Sequence, residues 1–483
     1  MKYLFLNQLF LLFFCSFMTF AQTGKFSFTI PSAATTSAGV FKNDSILVRT
    51  LWSDEKYTPG TYTNYWDGKD DYGKKLSSPA SIYTIKVLSN NVKYTWDGTI
   101  GNSSDNMTGP TKHRGYYECM SGLAFGSTYG YFTNGYSEGF PSIGKFKIGT
   151  PNQKLFIFSN RQSNAVSTHV ATDGINVYWG AYGGNTSFVY GTTVSNDLEI
   201  SFPNKVNFTP PYGRSYKAIG VINQVGSLIS GLAVQKTGNY LFIARSGINS
   251  VQVLNKTTGA LIQTLTYASP RGISVDGSDD LWMATGTNTV AKYSVNPDGT
   301  LTAPILSLPG LLSPLNTQVS PDDQLVSVLD GSTSQQVKSF SNSRGAAANI
   351  LGVAGGYFSD ATVNNNKFYF NDVNGNKATF IAYQPDGSFW VNDPGNFRVQ
   401  HYDSQRTFID RIMSLGATYG VYTDFNDITK VFSSNLEFEI DYSQPLTGTT
   451  GWLLKRNWGA NISTSICGNI AGAKTLSNKR TYA

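Results

Sequence analysis

The sequence predicts an all-β chain: a small β-rich module followed by a β-propeller of six or seven blades. Three observations predict it. A degenerate repeat of about 40 residues, the period of propeller blades, runs through the second part of the chain. Two adjacent copies, SGLAVQKTGNYLFIARSGINSVQVLNKTTGALIQTL from Ser230 and PRGISVDGSDDLWMATGTNTVAKYSVNPDGTLTAPIL from Pro270, share an entry of small residues, a short apolar strand, a Gly/Asp turn, and two further strands separated by a polar turn. Such a unit cannot bury its apolar faces alone and needs neighbours. The composition agrees. Charged residues are only 14%, aromatics are also 14%, and there are 48 Gly, 28 Tyr and 30 Phe. Aromatic residues fill strands and Gly fills turns, while the pattern of long amphipathic helices is missing.

Residues 1–21 read as a secretory signal. Lys2 supplies the positive start, Leu9 to Phe14 the apolar heart, and Thr19-Phe20-Ala21 a site for cleavage after Ala21. The run holds Asn7 and Gln8 and is short for a membrane span, which argues against an uncleaved anchor. Cys15 follows the bulky Phe13 and Phe14, where lipoprotein processing wants small residues. No later segment is long and apolar enough to cross a bilayer. The expected location is therefore secreted or at the cell surface. Removal of the signal leaves Cys119 and Cys467, a pair that a large domain does not need as a staple. The net charge of +6 is scattered, so nucleic-acid binding has no footprint.

Residues 23–101 form the first module. Phe26-Ser27-Phe28-Thr29-Ile30 alternates as a half-buried strand should, Ser45 to Trp52 reads as a second strand, and Tyr83 to Val87 as another. Between them lies a turn-rich hairpin, Trp66-Asp67-Gly68-Lys69-Asp70-Asp71-Tyr72-Gly73-Lys74. With Val48-Arg49-Thr50-Leu51, Gly60, Tyr83 and Ile85, this hairpin resembles the FlgD-type immunoglobulin-like domain. The resemblance covers roughly 60 residues and implies an accessory β-sandwich of the kind many secreted bacterial proteins carry. It departs at Ser77-Ser78-Pro79-Ala80, where the family usually has a Gly before the Tyr. A polar linker follows at residues 102–116.

Residues 117–483 are assigned to the propeller. Blades are expected to start near Cys119, Val166, Ser230, Pro270, Leu315 and Ala378, with an insertion from Pro203 to Val225. Asp393-Pro394-Gly395-Asn396-Phe397-Arg398-Val399 resembles the D-x-x-N-x-R-I/V run of NHL repeats and, more loosely, SMP-30-like blades. In NHL repeats the Asp and Arg tie neighbouring blades together. The Ser230 unit has Ala244-Arg245 where that Asp would sit, and the Pro270 unit lacks the Arg. Residues 430–460 read as a hairpin or partial blade, with strands from Leu436 to Tyr442 and Trp452 to Trp458. Lys479-Arg480-Thr481-Tyr482-Ala483 looks like the opening of a further strand. The expectation is thus a ring left incomplete at the C-terminus of this sequence, a fragment of a longer product.

Chemistry is sparse. There are three histidines, His113, His169 and His401, in separate segments. The spacing Gly135-Tyr136-Ser137-Glu138-Gly139 lacks the helix that a nucleophile elbow needs, and Pro141 follows at once. Asp67, Asp70 and Asp71 cluster, but Lys69 interrupts calcium-loop spacing. Asp276, Asp279, Asp280, Asp322 and Asp323 read as solvated turn residues. Tyr178, Trp179 and Tyr182 are ligand-binding candidates, because aromatic faces stack on sugars or fill apolar grooves. Tyr129, Tyr131, Phe132 and Tyr136 share that pattern, and all of these rings suit packing between blades as well.

The SMP-30-like resemblance implies a calcium ion at the mouth of the ring. Asn392, Asp393 and Asn396 are then the first ligand candidates and Asn371 and Asp372 the next. Glu118 precedes Cys119 without the context that family requires of its first-blade glutamate. No other cofactor is expected. The reading favoured is an exported binding or scaffold protein without catalysis, presenting the propeller face to an extracellular glycan or protein ligand. A calcium-dependent SMP-30-like lactonase or hydrolase is the alternative. A structural component of an envelope assembly is a third.

Overall fold

The computed structural model describes residues 24–76, 82–92, 109–114, 119–136, 141–158, 165–210, 214–370, 379–414, 421–424, 426–433, 435–444, 451–459, 474–475 and 481–482. The expected signal segment, Cys15, most of the expected linker, Glu118, Ser137 to Gly139, Asn371, Asp372, Cys467 and Lys479-Arg480 lie outside the described residues. The chain divides into two compact units, residues 1–97 and 98–483.

In the first unit, Gly24–Ile30 pairs antiparallel with Gly60–Trp66, and Ala34–Lys42 lies between Ile46–Tyr57 and Tyr83–Asn90. The strict alternation of the first strand turns Phe26, Phe28 and Ile30 inward, where they share one core with Val40, Trp52 and Trp66. The hairpin after Trp66 is held by its own carboxylates. Asp70 Oδ1 accepts the backbone N–H of Tyr72 (3.0 Å) and Lys74 (2.9 Å), and Asp71 Oδ1 accepts that of Thr50 (2.9 Å).

The second unit is all-β and contains a closed six-bladed propeller. Blade 1 comprises Gly122–Phe125, Tyr129–Thr133, Ile143–Lys147 and Lys154–Phe156. Blade 2 comprises Val166–Thr172, Asn176–Gly183, Thr186–Thr193 and Tyr216–Asn223, with Val206–Phe208 added outside. Blade 3 runs Gly231–Val234, Tyr240–Arg245, Ser250–Asn255 and Leu261–Thr266. Blade 4 runs Ile273–Val275, Leu281–Thr285, Thr289–Tyr293 and Leu306–Ser307. Blade 5 runs Pro314–Val319, Leu325–Asp330, Gln336–Ser341 and Ala347–Leu351. Blade 6 runs Ile381–Tyr383, Phe389–Asp393, Arg398–Tyr402 and Phe408–Ser414. Each innermost strand lies beside the next, and the last returns to the first.

Six apolar clusters fill the six junctions. Tyr131 and Trp179 meet between blades 1 and 2, Tyr178 and Leu241 between 2 and 3, and Phe242 and Met283 between 3 and 4. Trp282 and Val328 meet between 4 and 5, Leu329 and Phe389 between 5 and 6, and Trp390 and Phe146 between 6 and 1. Every blade is therefore buried on both faces. Glycine at the start of an inner strand is required by the neighbour's backbone: a Cβ on Gly231 would lie 2.3 Å from the Arg271 carbonyl oxygen, and one on Gly272 2.3 Å from Asn316 Cα.

The closed ring corrects the expectation of an incomplete one and excludes a seventh blade. Closure uses an outside strand: Thr111–Arg114 pairs parallel with Phe408–Ser414 at the edge of blade 6. The Arg114 guanidinium, from that strand, lies 4.4 Å from the Phe132 ring centroid and donates to the Pro151 carbonyl (3.0 Å), both in blade 1. The strands Val421–Asp424, Asp427–Ser433, Leu436–Ile440 and Trp452–Asn457 form a separate sheet with no place in the ring. That sheet packs Val431, Leu436, Phe438 and Trp452 on Phe397 and Met413 of blade 6.

Candidate binding face

An antiparallel four-stranded blade puts the connection between its second and third strands at the same end as the connection to the next blade. These loops make one face of the ring, the entry face. The remaining turns make the opposite face. The two faces differ in charge. In blades 3–5 the turn face carries Lys236, Asp279, Asp298, Asp322, Asp323 and Arg344. The entry-face loops from blade 2 through blade 5 are residues 184–185, 224–230, 246–249, 267–271, 286–288, 308–313, 331–335 and 352–380, the last described to 370 and from 379. Among their described residues the charged ones are Arg271 and, in the last connection, the mutually paired Asp360 and Lys367. The rest is Gly, Ser, Asn, Thr and apolar, and Val225, Leu228, Leu312, Val353 and Phe358 are exposed there, Val225 to 77%.

These loops are bonded to one another rather than loose. Ser227 Oγ donates to the Asn185 carbonyl (3.3 Å), the Ser269 N–H to Asn249 Oδ1 (2.8 Å), and the Gly355 N–H to the Ser334 carbonyl (3.0 Å). The buried Asp330 accepts the N–H groups of Leu312 (2.9 Å) and Ser313 (2.7 Å) and the ammonium of Lys338 (2.7 Å). A ligand meeting such loops finds apolar tips already in place, which lowers the ordering cost of binding.

Beneath the loops lies a buried cation with no carboxylate. Arg245 donates from Nε to Ser187 Oγ (2.9 Å), from Nη1 to Gln252 Oε1 (2.6 Å) and from Nη2 to the Gly220 carbonyl (2.6 Å). Loss of solvent pushes its pKa down to about 9. It sits where the NHL pattern has its Asp, and it ties blade 3 to blade 2 with neutral acceptors alone.

The sequence-derived aromatic site is displaced by this geometry. Tyr178 and Trp179, consecutive on one strand, point to opposite faces of blade 2 and are both fully buried, one against blade 3 and the other against blade 1. Neither ring has a face left for a ligand. Tyr178 donates its hydroxyl to the Lys256 carbonyl (3.0 Å) and Trp179 its indole N–H to Thr192 Oγ1 (3.0 Å). Tyr182 is half-buried, and desolvation raises its hydroxyl pKa. Of the companion rings, Tyr131 and Phe132 are buried and Tyr136 is exposed on the entry face.

The calcium candidates do not fit an ion either. Asp393 Oδ1 accepts the Tyr369 N–H (2.5 Å), and Oδ2 accepts Arg398 Nε (2.7 Å) and Asn396 Nδ2 (3.0 Å). Asn396 Oδ1 accepts from Asn457 Nδ2 (3.1 Å), and Asn392 Nδ2 donates to the Met120 carbonyl (3.4 Å). The lone pairs an ion would need are already engaged inside a charge-paired network. Among the described residues no group of three or more His, Cys, Asp or Glu is placed to hold a metal.

Three of the turn aspartates are not simply solvated: Asp276 is buried and pairs with Lys292 at 2.5 Å, and two others reach across a junction. Asp279 of blade 4 accepts the N–H groups of Lys236 (2.8 Å) and Gly238 (2.6 Å) and the Thr237 hydroxyl, all in blade 3. Asp323 of blade 5 accepts the N–H of Gly277 in blade 4 (2.7 Å). Their partners stand more than 40 residues away, and only the repeat period could have pointed to them.

No protein-family model matches this sequence, and no curated protein matches it. Among solved structures, the chain is similar to a chain of a nidogen–laminin complex at 13% identity, covering 60% of this chain and 92% of that one with a TM-score of 0.39. It is similar to a chain of a mitotic checkpoint complex at 11% identity, covering 76% of this chain and 99% of that one with a TM-score of 0.39. It is also similar to the Swd1 β-propeller domain of Myceliophteria thermophila at 7% identity, covering 59% and 81% with a TM-score of 0.36.

Proposed function

We propose that this is an exported binding or scaffold protein that presents the entry face of its propeller to a protein ligand and performs no chemistry on it. The observation that carries the reading is the contrast between the two faces of one ring. In blades 3–5 one face carries the charged turns; the other exposes Val225, Leu228, Leu312, Val353 and Phe358 from hydrogen-bonded loops rich in Gly, Ser and Asn. Apolar tips among small, adaptable polar residues are the composition of protein-binding loops. A protein is favoured over a glycan because four of the five tips are aliphatic, whereas sugar rings are held by aromatic faces. Under this reading residues 1–21 direct export, and residues 23–101 are a FlgD-type accessory module.

The test is site-specific photo-crosslinking of the full chain in its native cell. A photoreactive residue at Leu228 or Leu312 should give partner adducts. The same residue at Ile175 or Leu198, more exposed on the turn face, should not. Adducts from the turn face alone would sink the reading.

A further inference from the structure

In the entry-face loops that lead from blade 2 to the head of blade 5, Arg271 is the one charged residue, and it has a chemistry. Arg271 immediately precedes Gly272 at the head of the innermost strand of blade 4, so it stands at the rim of the channel mouth. The residue is half-buried, and its guanidinium makes one polar side-chain contact, from Nη1 to Ser313 Oγ at a long 3.4 Å. No carboxylate lies within ion-pair distance of it among the described residues. The nearby Asp330 is committed to two backbone amides and to Lys338. Deeper in the same face, Arg245 is buried with neutral acceptors only. Two guanidinium groups without acidic partners, set among low-dielectric apolar loops, give the mouth a positive potential that water screens weakly. A guanidinium fork of N–H donors with room beside it is matched by a carboxylate, which accepts two of them at once.

We infer that the ligand of this face carries a carboxylate beside apolar side chains, and that Arg271 receives it. The inference rests on the entry face being the binding face. It narrows the partner to a protein segment with an acidic side chain or chain terminus among aliphatic or aromatic residues. Leu312 and Leu228 hold the apolar part, and Arg271 sets the register. In this arrangement Arg271 supplies specificity and the aliphatic tips supply area.

Two dipeptides test it with the full chain: N-acetyl-Leu-Phe with a free carboxylate and its C-terminal amide, titrated calorimetrically at low salt. The carboxylate should bind about 10-fold or more tighter than the amide, the worth of a charge-assisted hydrogen-bond pair. R271Q should abolish that preference while leaving the thermal midpoint unchanged, because the side chain has a single long contact. R271K, which keeps the charge and loses the fork, should retain only part of it. Equal affinity of the two dipeptides would overturn the inference while leaving an apolar binding face intact. Absence of binding by both up to about 10 mM, a limit near 3 kcal/mol of affinity, would overturn it too. In that case entry-face cross-links would show whether the wider reading survives. Glucuronate binding as tightly as the free-acid dipeptide would also overturn it, because the apolar neighbours would then contribute nothing.

Discussion

The middle of the ring and its seam solve the same problem with different materials. Between blades 3, 4 and 5, a turn aspartate reaches across each junction to the backbone of the preceding blade, as Asp279 and Asp323 do. Both residues adopt positive φ, 65° and 62°, which Asp tolerates. Blade 1, whose first turn would have to reach back to blade 6, has Gly126-Ser127-Thr128 there and no carboxylate to send. The seam between blades 6 and 1 relies on buried groups instead: the Trp390–Phe146 contact, the strand Thr111–Arg114 on the outer edge, and Arg114 over Phe132. A junction made by consecutive repeats can be fastened by a residue that recurs with the repeat. A junction between the first and last blades has no such neighbour in sequence, so it is fastened from outside the repeat.

The largest effect should come from blade 6, where Asp393 and Arg398 pair at 2.7 Å with almost no solvent exposure. Asp393→Ala leaves the guanidinium buried without its charge partner and should lower stability by about 3–5 kcal/mol. Urea denaturation reads this as a fall in midpoint without a change in slope. A loss comparable to that of an exposed pair would show that blade 6 is not fastened by buried charge. Calcium or EDTA should leave the wild-type midpoint in place, since the oxygens of Asp393 are taken. At the seam itself, Arg114→Met keeps the apolar stem but removes the cation over Phe132 and the hydrogen bond to Pro151, at a cost of about 2–3 kcal/mol. Its signature is early loss of blade 6 and blade 1 protection in hydrogen exchange, with blades 3 to 5 unaffected.

The repeat made the ring legible. The six blade starts expected near Cys119, Val166, Ser230, Pro270, Leu315 and Ala378 lie within three residues of the observed inner strands. What stayed illegible depends on contacts between repeats. Tyr178 and Trp179 look like exposed stacking rings in a linear reading. A blade, unlike a sheet with one wet face, is packed on both sides, so alternation places both rings inside. The outside strand at the seam escaped because four residues before the first repeat carry no period. The sheet of Val421 to Asn457 reads as a partial blade because its strands are blade-like. Its register on Phe397 is set by tertiary contacts alone. The entry face is visible in the sequence only once the loops are sorted by the end of the blade they occupy.

A third junction responds to acid. His169, on the innermost strand of blade 2, bonds Thr168 Oγ1 through Nδ1 at 2.9 Å beside the entry of blade 3. Desolvation pushes its pKa down to about 4. The unfolded chain, with the ordinary value near 6.5, therefore binds the proton more readily. Stability contributed by the neutral imidazole is full above about pH 6.5 and is lost as pH falls toward about 4, by roughly 2 kcal/mol. His169→Gln should flatten this limb of the stability profile between those values. An unchanged acid limb would place the titrating group elsewhere.

The smallest effects should lie where the fastening is exposed, and there the number of bonds decides their order. Asp279 holds two backbone amides and one hydroxyl, whereas Asp323 reaches one amide of blade 4. Both carboxylates meet solvent, so each bond is worth less than its buried counterpart. Asp279→Ala should cost about 1–2 kcal/mol and Asp323→Ala about 0.5–1 kcal/mol. Because the aspartates fasten different junctions, the double variant should be additive to within about 0.5 kcal/mol. A much larger combined loss would mean that blades 3 to 5 melt as one unit whose fastenings share a load. The contrast with the seam would then lie in cooperativity rather than in bond type.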